Sequence, residues 1–216
     1  MDIEIEWEDS PDLGFTSIPT DIDTFDIVNK VLSLREIWIS RSTEYPFFTL
    51  GRSAYLDGKT DAYYKDSRWQ NDILLGEFEE LYEEMLKVLK QVFNEELYLA
   101  HDLALPGFHI FPSDSKFLSI AGKWHQDYPH ATLELEGQDT YAFTLPIRLP
   151  VSGGGMDYID QFHLPQYLEY NERNLVIHNG ETVHRIAGLK EYIPNEYRIT
   201  LQGHTVRRNG DLEVFW

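Results

Sequence analysis

The sequence contains no cysteine, which rules out disulfides, a thiolate nucleophile and any cysteine-ligated zinc site. Basic residues are scarce: 18 Lys and Arg stand against 37 Asp and Glu, giving a formal net charge of −19. A field of that sign repels phosphate backbones, so nucleic acid is not an expected partner. No apolar run approaches the length of a membrane-spanning helix, so no membrane partner is expected. The start, Met1-Asp2-Ile3-Glu4-Ile5-Glu6, lacks the basic residues and apolar stretch of a signal peptide. With the missing cysteines, this points to a cytoplasmic location. Internal repeats, low-complexity tracts and an evident linker are also lacking, so residues 1–216 read as a single domain. What is present is an apolar content of 42% and an aromatic content of 14%, enough for a globular protein with a sizeable core.

The chain divides by hydrophobic period into an N-terminal helical support region (1–96), a strand-rich core (97–205) and a C-terminal tail (206–216). Residues 1–20 read as an irregular or edge segment. Thr20 is placed to cap a helix running to about Leu34, with Phe25, Val28, Val31 and Leu32 as its apolar stripe. Ile37 and Ile39 flank Trp38 in an alternating strand. The aromatic run Tyr45-Pro46-Phe47-Phe48 and on to Tyr55 reads as packing of this N-terminal region rather than as a substrate wall. The longest helix spans about Asn71 to Asn94, with Leu74, Phe78, Leu81, Met85 and Val92 at helical spacing. Its acidic residues, among them Glu77, Glu80 and Glu84, fall largely on the other face and read as solvated.

From Leu97 the period becomes strand-like. Phe108 to Phe111 is a strand ended by the Pro112-Ser113-Asp114-Ser115 turn, and residues 140–149 form another, with Pro146 marking an edge or a bulge. A glycine-containing turn, Gly153-Gly154-Gly155, leads into a strand through Ile159, and residues 160–173 read as a loop over a mouth. Asn179-Gly180 predicts a type I′ hairpin over 174–187, joining the strand-like run Leu175-Val176-Ile177 to a returning strand Thr182-Val183-His184-Arg185-Ile186.

Within this framework the chemistry concentrates in Trp124-His125-Gln126-Asp127. In an extended segment alternate side chains share a face, so the His125 imidazole and Asp127 carboxylate point into the same space. Alone, His125 is as readily a polar turn residue and Asp127 a cap or Asx turn. His184 sits in the predicted returning strand, facing away from Val183. Two imidazoles and one carboxylate on one face of a metal leave the other face open, a pattern suited to non-haem Fe(II). In Tyr197-Arg198-Ile199-Thr200-Leu201 the apolar residues alternate with Arg198 and Thr200. An arginine on an inner face needs an anionic partner; on an outer face it would be an ordinary surface cation. His101, His109, His130, His163, His178 and His204 have no such ordered context. They read as surface or hydrogen-bonded core residues, with Tyr128 and His130 near enough to line the site and His204 sharing the alternation of Arg198.

The ordered set His125-x-Asp127, His184 and Arg198 resembles the Fe(II)/2-oxoglutarate-dependent oxygenases. The resemblance covers about residues 97–205 and lies in the motif more than in the sequence as a whole. It implies a mainly β fold with α elements (α+β): a double-stranded β-helix, that is a jelly-roll or cupin-like barrel, with N-terminal supporting helices. It implies that His125, Asp127 and His184 are the catalytic, metal-binding residues for Fe(II). Arg198 would then bind the far carboxylate of 2-oxoglutarate, with Thr200 assisting. O2 would be the oxidant, and the reaction would hydroxylate an unactivated C–H of a small molecule, amino acid or peptide with release of succinate and CO2. Halogenases of this family lack the carboxylate ligand, so Asp127 favours hydroxylation or desaturation. Two alternatives stand beside this reading. One is a cupin-like metalloenzyme that does not use 2-oxoglutarate, and the other is a non-catalytic jelly-roll binding module. The sequence leaves the oligomeric state open.

Overall fold

A computed structural model describes residues 15–119, 122–136 and 140–216. In chain order its elements are β1 (Thr16–Pro19), α1 (Thr24–Ser33), β2 (Ile39–Ser40), β3 (Phe48–Leu50), α2 (Ala54–Asp57), α3 (Asp61–Phe93), β4 (Leu97–Leu99), β5 (Gly107–Pro112), α4 (Pro129–Thr132), β6 (Tyr141–Arg148), β7 (Met156–Ile159), β8 (Pro165–Leu168), β9 (Asn174–Asn179), β10 (His184–Ile186), β11 (Tyr197–Arg208) and β12 (Asp211–Phe215). A nine-stranded sheet runs β1-β9-β6-β11-β5-β3-β2, with β12 and β4 continuing beside β11. A three-stranded sheet, β10-β7-β8, faces the cavity from the other side. The fold is mainly antiparallel β with few helices: the double-stranded β-helix that the family resemblance implies. No described helix is long and apolar enough to cross a membrane.

The large sheet is covered on both faces, and the strand period of two sorts its residues. Ile110, Leu145, Ile147, Leu175, Ile199 and Leu201 pack with Val31 of α1 and Leu74, Phe78, Leu81, Met85 and Leu89 of α3 in the main core. The alternate residues, His109, Phe111, Thr144, Arg198 and His204, line the cavity between the sheets. The helices thus hold the sheet from behind while its other face stays available for chemistry. The C-terminal ring is part of the frame. Trp216 is fully buried against Gly107, where a Cβ would lie 2.2 Å from the Trp216 ring, so only glycine fits.

Several local expectations are corrected. Helix α1 is capped by Asp23, whose carboxylate accepts from the Phe25 and Asp26 N–H groups, while the Thr20 hydroxyl donates to the Arg173 carbonyl. Helix α3 begins at Asp61 under a Thr60 cap, ten residues before Asn71, and its backbone departs from helical at Phe78. The early turns bury Tyr63, Ser67 and Gln70, so polar residues on the inner face hide the apolar period there. Ile37 closes a short 3-10 helix and only Ile39–Ser40 is strand. Within 160–173, expected as a loop, β8 pairs with β7. The region 1–96 is not purely helical, since β1, β2 and β3 join the large sheet. Of the segment 1–20, residues 1–14 lie outside the described residues, and Thr16–Pro19 is an edge strand on β9. The expected tail 206–216 is instead the end of β11 and all of β12, paired through His204–Phe215 to Arg208–Asp211. Pro146 sits at a register shift between β6 and β11, in keeping with the edge or bulge it marks in the sequence.

Candidate metal and cosubstrate site

The His125-x-Asp127 segment is extended and lies against β10. His125 and His184 exchange backbone hydrogen bonds of 3.0 and 2.9 Å, and the Asp127 N–H donates to the Gly180 carbonyl at 2.8 Å. Gly180 is the hinge of this arrangement for a reason other than the predicted type I′ turn. Neither Asn179 nor Gly180 has a positive φ, and β9 and β10 belong to different sheets. A Cβ on Gly180 would stand 2.7 Å from the Asp127 carbonyl oxygen, so glycine is there to let the ligand segment approach.

His125, Asp127 and His184 converge, with one ligand atom from each lying within 4.8 Å of the others. His125 Nε2 is 3.7 Å from Asp127 Oδ1, and His184 Nε2 is 3.4 Å from Asp127 Oδ2. An ion bound at about 2.1 Å separates two ligands by at most about 4.2 Å, so both separations suit a shared metal. The protonation pattern suits it too. Nδ1 of His125 donates to the Lys123 carbonyl and Nδ1 of His184 to the Thr182 carbonyl, each at 2.8 Å. With the proton held on Nδ1, each Nε2 presents its lone pair to the shared space.

Burial by itself would push the Asp127 carboxyl up, but His184, His204 and His125 outweigh it and hold the group well below the usual carboxylate range. Burial pushes His184 below the ordinary imidazole value, against the opposing pull of Asp127. The direction at His184 favours the neutral imidazole, the form that binds a metal.

Arg198 and Thr200 occupy the inner face of β11, as the alternation predicts. Arg198 is buried, its Nε donates to the Gly154 carbonyl at 2.8 Å, and its Nη1 is 3.4 Å from Thr200 Oγ1. The Gly153-Gly154 turn, both residues at positive φ, delivers that carbonyl. Among the described residues no carboxylate pairs with Arg198, and burial pushes its guanidinium below the usual range. An unpaired buried cation is costly, so a guanidinium in this setting is suited to an anionic ligand.

Two further histidines stand around the triad. His204 Nε2 lies 3.6 Å from Asp127 Oδ2, in keeping with its shared alternation with Arg198. His178, read as an ordinary surface or core residue, is buried with its ring 4.6 Å from that of His184. Its position on the inner face of β9, opposite Ala142, is set by sheet pairing and carries no signal in the sequence. His109 was also missed, although Phe108 and Ile110 on either side place it on the inner face; it lines the cavity, bonded to the Tyr55 hydroxyl. Tyr45, Phe47 and Tyr55 line the cavity as well, correcting their reading as packing alone. Tyr128 and His130 meet edge to face, ring centroids 6.2 Å apart, and are not among the cavity-lining residues.

No family model and no curated protein sequence matches the chain. Solved structures do. An oxidoreductase of the 2OG-Fe(II) oxygenase family from Burkholderia pseudomallei superposes with a TM-score of 0.55 at 11% identity, over 93% of this chain and 87% of that one. The non-heme alpha ketoglutarate dependent carbocyclase SnoK from nogalamycin biosynthesis gives 0.51 at 10% identity, over 94% and 92%. The epimerase SnoN, in complex with Fe3+, alpha ketoglutarate and nogalamycin RO, gives 0.50 at 11% identity, over 91% and 82%. At these identities the likeness is one of fold, and the fold of this chain is the one those 2-oxoglutarate-dependent proteins share.

Proposed function

We propose that this chain is an Fe(II)- and 2-oxoglutarate-dependent dioxygenase that hydroxylates a C–H bond of an organic substrate, releasing succinate and CO2. The observation that carries this reading is one cavity holding both an open His-Asp-His triad and a buried arginine with no carboxylate partner among the described residues. Nε2 of His125, Nε2 of His184 and the Asp127 carboxylate would hold the iron. The iron, when bound, supplies dioxygen activation and the oxidation itself. The Lys123 and Thr182 carbonyls keep the two imidazoles in the binding tautomer. Arg198, with Thr200 beside it, would grip the far carboxylate of 2-oxoglutarate through its guanidinium fork. The aromatic and aliphatic lining would exclude water from the reacting centre.

A cupin-like metalloenzyme without 2-oxoglutarate gives Arg198 no task, and a binding module with no metal leaves the triad's convergence and fixed tautomers unexplained. The test is an anaerobic titration with Fe(II) and 2-oxoglutarate, followed by a succinate assay in air. Wild type should develop a visible charge-transfer band and release succinate. His184→Ala and Asp127→Ala should lose both while keeping the wild-type circular dichroism. Undiminished iron affinity and succinate release in a folded Asp127→Ala variant would end this reading.

A further inference from the structure

Resting on that reading, the shape of the same cavity bears on what is oxidised. Its volume is 220 Å³, and one side is a continuous run of aromatic rings. Phe47 and Phe111 stack with centroids 4.4 Å apart and planes inclined by 1°. Phe117 meets Phe111 edge-on at 5.8 Å, and Tyr45 meets Phe117 edge-on at 5.6 Å. The Arg198 guanidinium lies 5.8 Å from the Phe111 centroid, so the run starts beside the proposed cosubstrate anchor. All four rings are only half-buried. All four also line the cavity.

The turns flanking β7 and β10 line the cavity with Gly154, Gly155, Ala187 and Gly188. These residues have little or no side chain, so this wall of the cavity is largely backbone. Charge is nearly absent. Besides Asp127, the charged side chains among the described lining residues are Arg198, proposed for 2-oxoglutarate, and Glu196. Glu196 already accepts the Val151 N–H at 3.2 Å. A free amino acid brings an ammonium and a carboxylate, and the cavity offers no matched pair of groups to take both out of water.

We infer that the substrate is a flat, uncharged ring system, aromatic or fused, laid against Tyr45, Phe47, Phe111 and Phe117. Offset and edge-to-face ring contacts contribute beyond the area they bury, and that extra term needs planarity in the ligand. The wall thus discriminates a planar ring from a puckered one of equal size, and a neutral ligand from a zwitterion.

The probe is 2-naphthol, compared with decahydro-2-naphthol, phenyltrimethylammonium and phenylalanine. Binding to the intact protein is measured by calorimetry, with and without Fe(II) and 2-oxoglutarate. Wild type should bind 2-naphthol at least about tenfold more tightly than each of the other three. Phe47→Leu and Phe117→Leu keep an apolar side chain but remove the ring. Each should weaken 2-naphthol about two- to tenfold and leave decahydro-2-naphthol nearly unchanged. Equal affinity for the planar and saturated probes, or wild-type 2-naphthol affinity in both folded variants, would overturn the inference. Preference for phenyltrimethylammonium would also overturn it, since aromatic faces take cations as well. Binding of 2-naphthol needs no metal. A protein that binds it yet fails the iron titration loses the oxygenase reading and keeps the wall, and the converse holds equally.

Discussion

Arg198 and Thr200 stand on β11, paired along its length with β5 on one side and β6 on the other and backed by the helix-covered core. His125 and Asp127 stand on a segment tied down by the backbone exchange with His184, the Asp127 bond to Gly180 and the Gln126 side chain on the Glu181 carbonyl. Arg198 and Thr200 are buried, whereas the His125 side chain keeps 44% of its exposure. The proposed cosubstrate half is therefore built by folding alone, while the proposed ligand half rests on few bonds. A metal bound there would add to the stability of that half, because a ligand that binds only the folded arrangement stabilises it by mass action.

The contrast can be tested most strongly at Arg198. Arg198→Ala should raise the apparent KM for 2-oxoglutarate about ten- to a hundredfold, since a charge-assisted bidentate pair contributes on the order of 1.5–3 kcal/mol. Iron affinity should stay close to wild type. Lys at this position should recover only part, as a point charge without the fork. Steady-state kinetics with varied 2-oxoglutarate and a separate iron titration read the two quantities. A fall in iron affinity equal to the rise in KM would mean the two halves are one unit.

A pair of glycines sharpens the same division. Gly107→Ala forces a Cβ into the Trp216 ring and the Leu50 carbonyl, and should cost about 1–3 kcal/mol of global stability with iron affinity retained. Gly180→Ala pushes on the Asp127 backbone instead. It should weaken iron binding about tenfold while changing global stability by less than about 1 kcal/mol. Chemical denaturation and metal titration of both variants check this. The opposite assignment of effects would show that the ligand segment is as firmly built as the sheet.

The smallest expected effect is on acid stability. Burial, and then the neighbouring His184, push His178 down to about 3. In the unfolded chain an imidazole takes up its proton near pH 6.5. Below that pH the unfolded state binds a proton that the folded state refuses, so stability present above about 6.5 is lost as the pH falls toward about 3. Between about pH 7.5 and 5 this residue should account for about 1–2 kcal/mol of lost stability. His178→Asn should flatten the dependence in denaturation series run at both pH values. An unchanged slope would place the acid sensitivity elsewhere, with His109 and His184, also pushed down by burial, as the next groups to examine.

Much of the proposed site was legible because its signals are local. The two-residue spacing of His125 and Asp127 puts both on one face of any extended segment. The alternation around Arg198 and Thr200 turns them away from Ile199 and Leu201, which bury under the helices. The strand after Gly107 and the late turns of α3 followed the same logic. Where a local pattern was masked, the reading failed. Polar residues on the inner side of α3 concealed its first turns, and Asn179-Gly180 carried a strong turn signal for a connection that passes between two sheets.

The sequence by itself determined which side chains share a face with the triad and with Arg198, since period and residue type are properties of a few adjacent residues. Only the tertiary structure decided what those faces look at. It brought His178 and His204 around Asp127 and His184. It set Phe47 flat on Phe111 and made Gly180 the point where the ligand segment touches down. It also drew the last residues, which looked like a tail, into the sheet and the core. Each of these depends on strand order and register between residues far apart in the chain. No short-range pattern encodes that pairing, because it is chosen by the packing of the whole barrel.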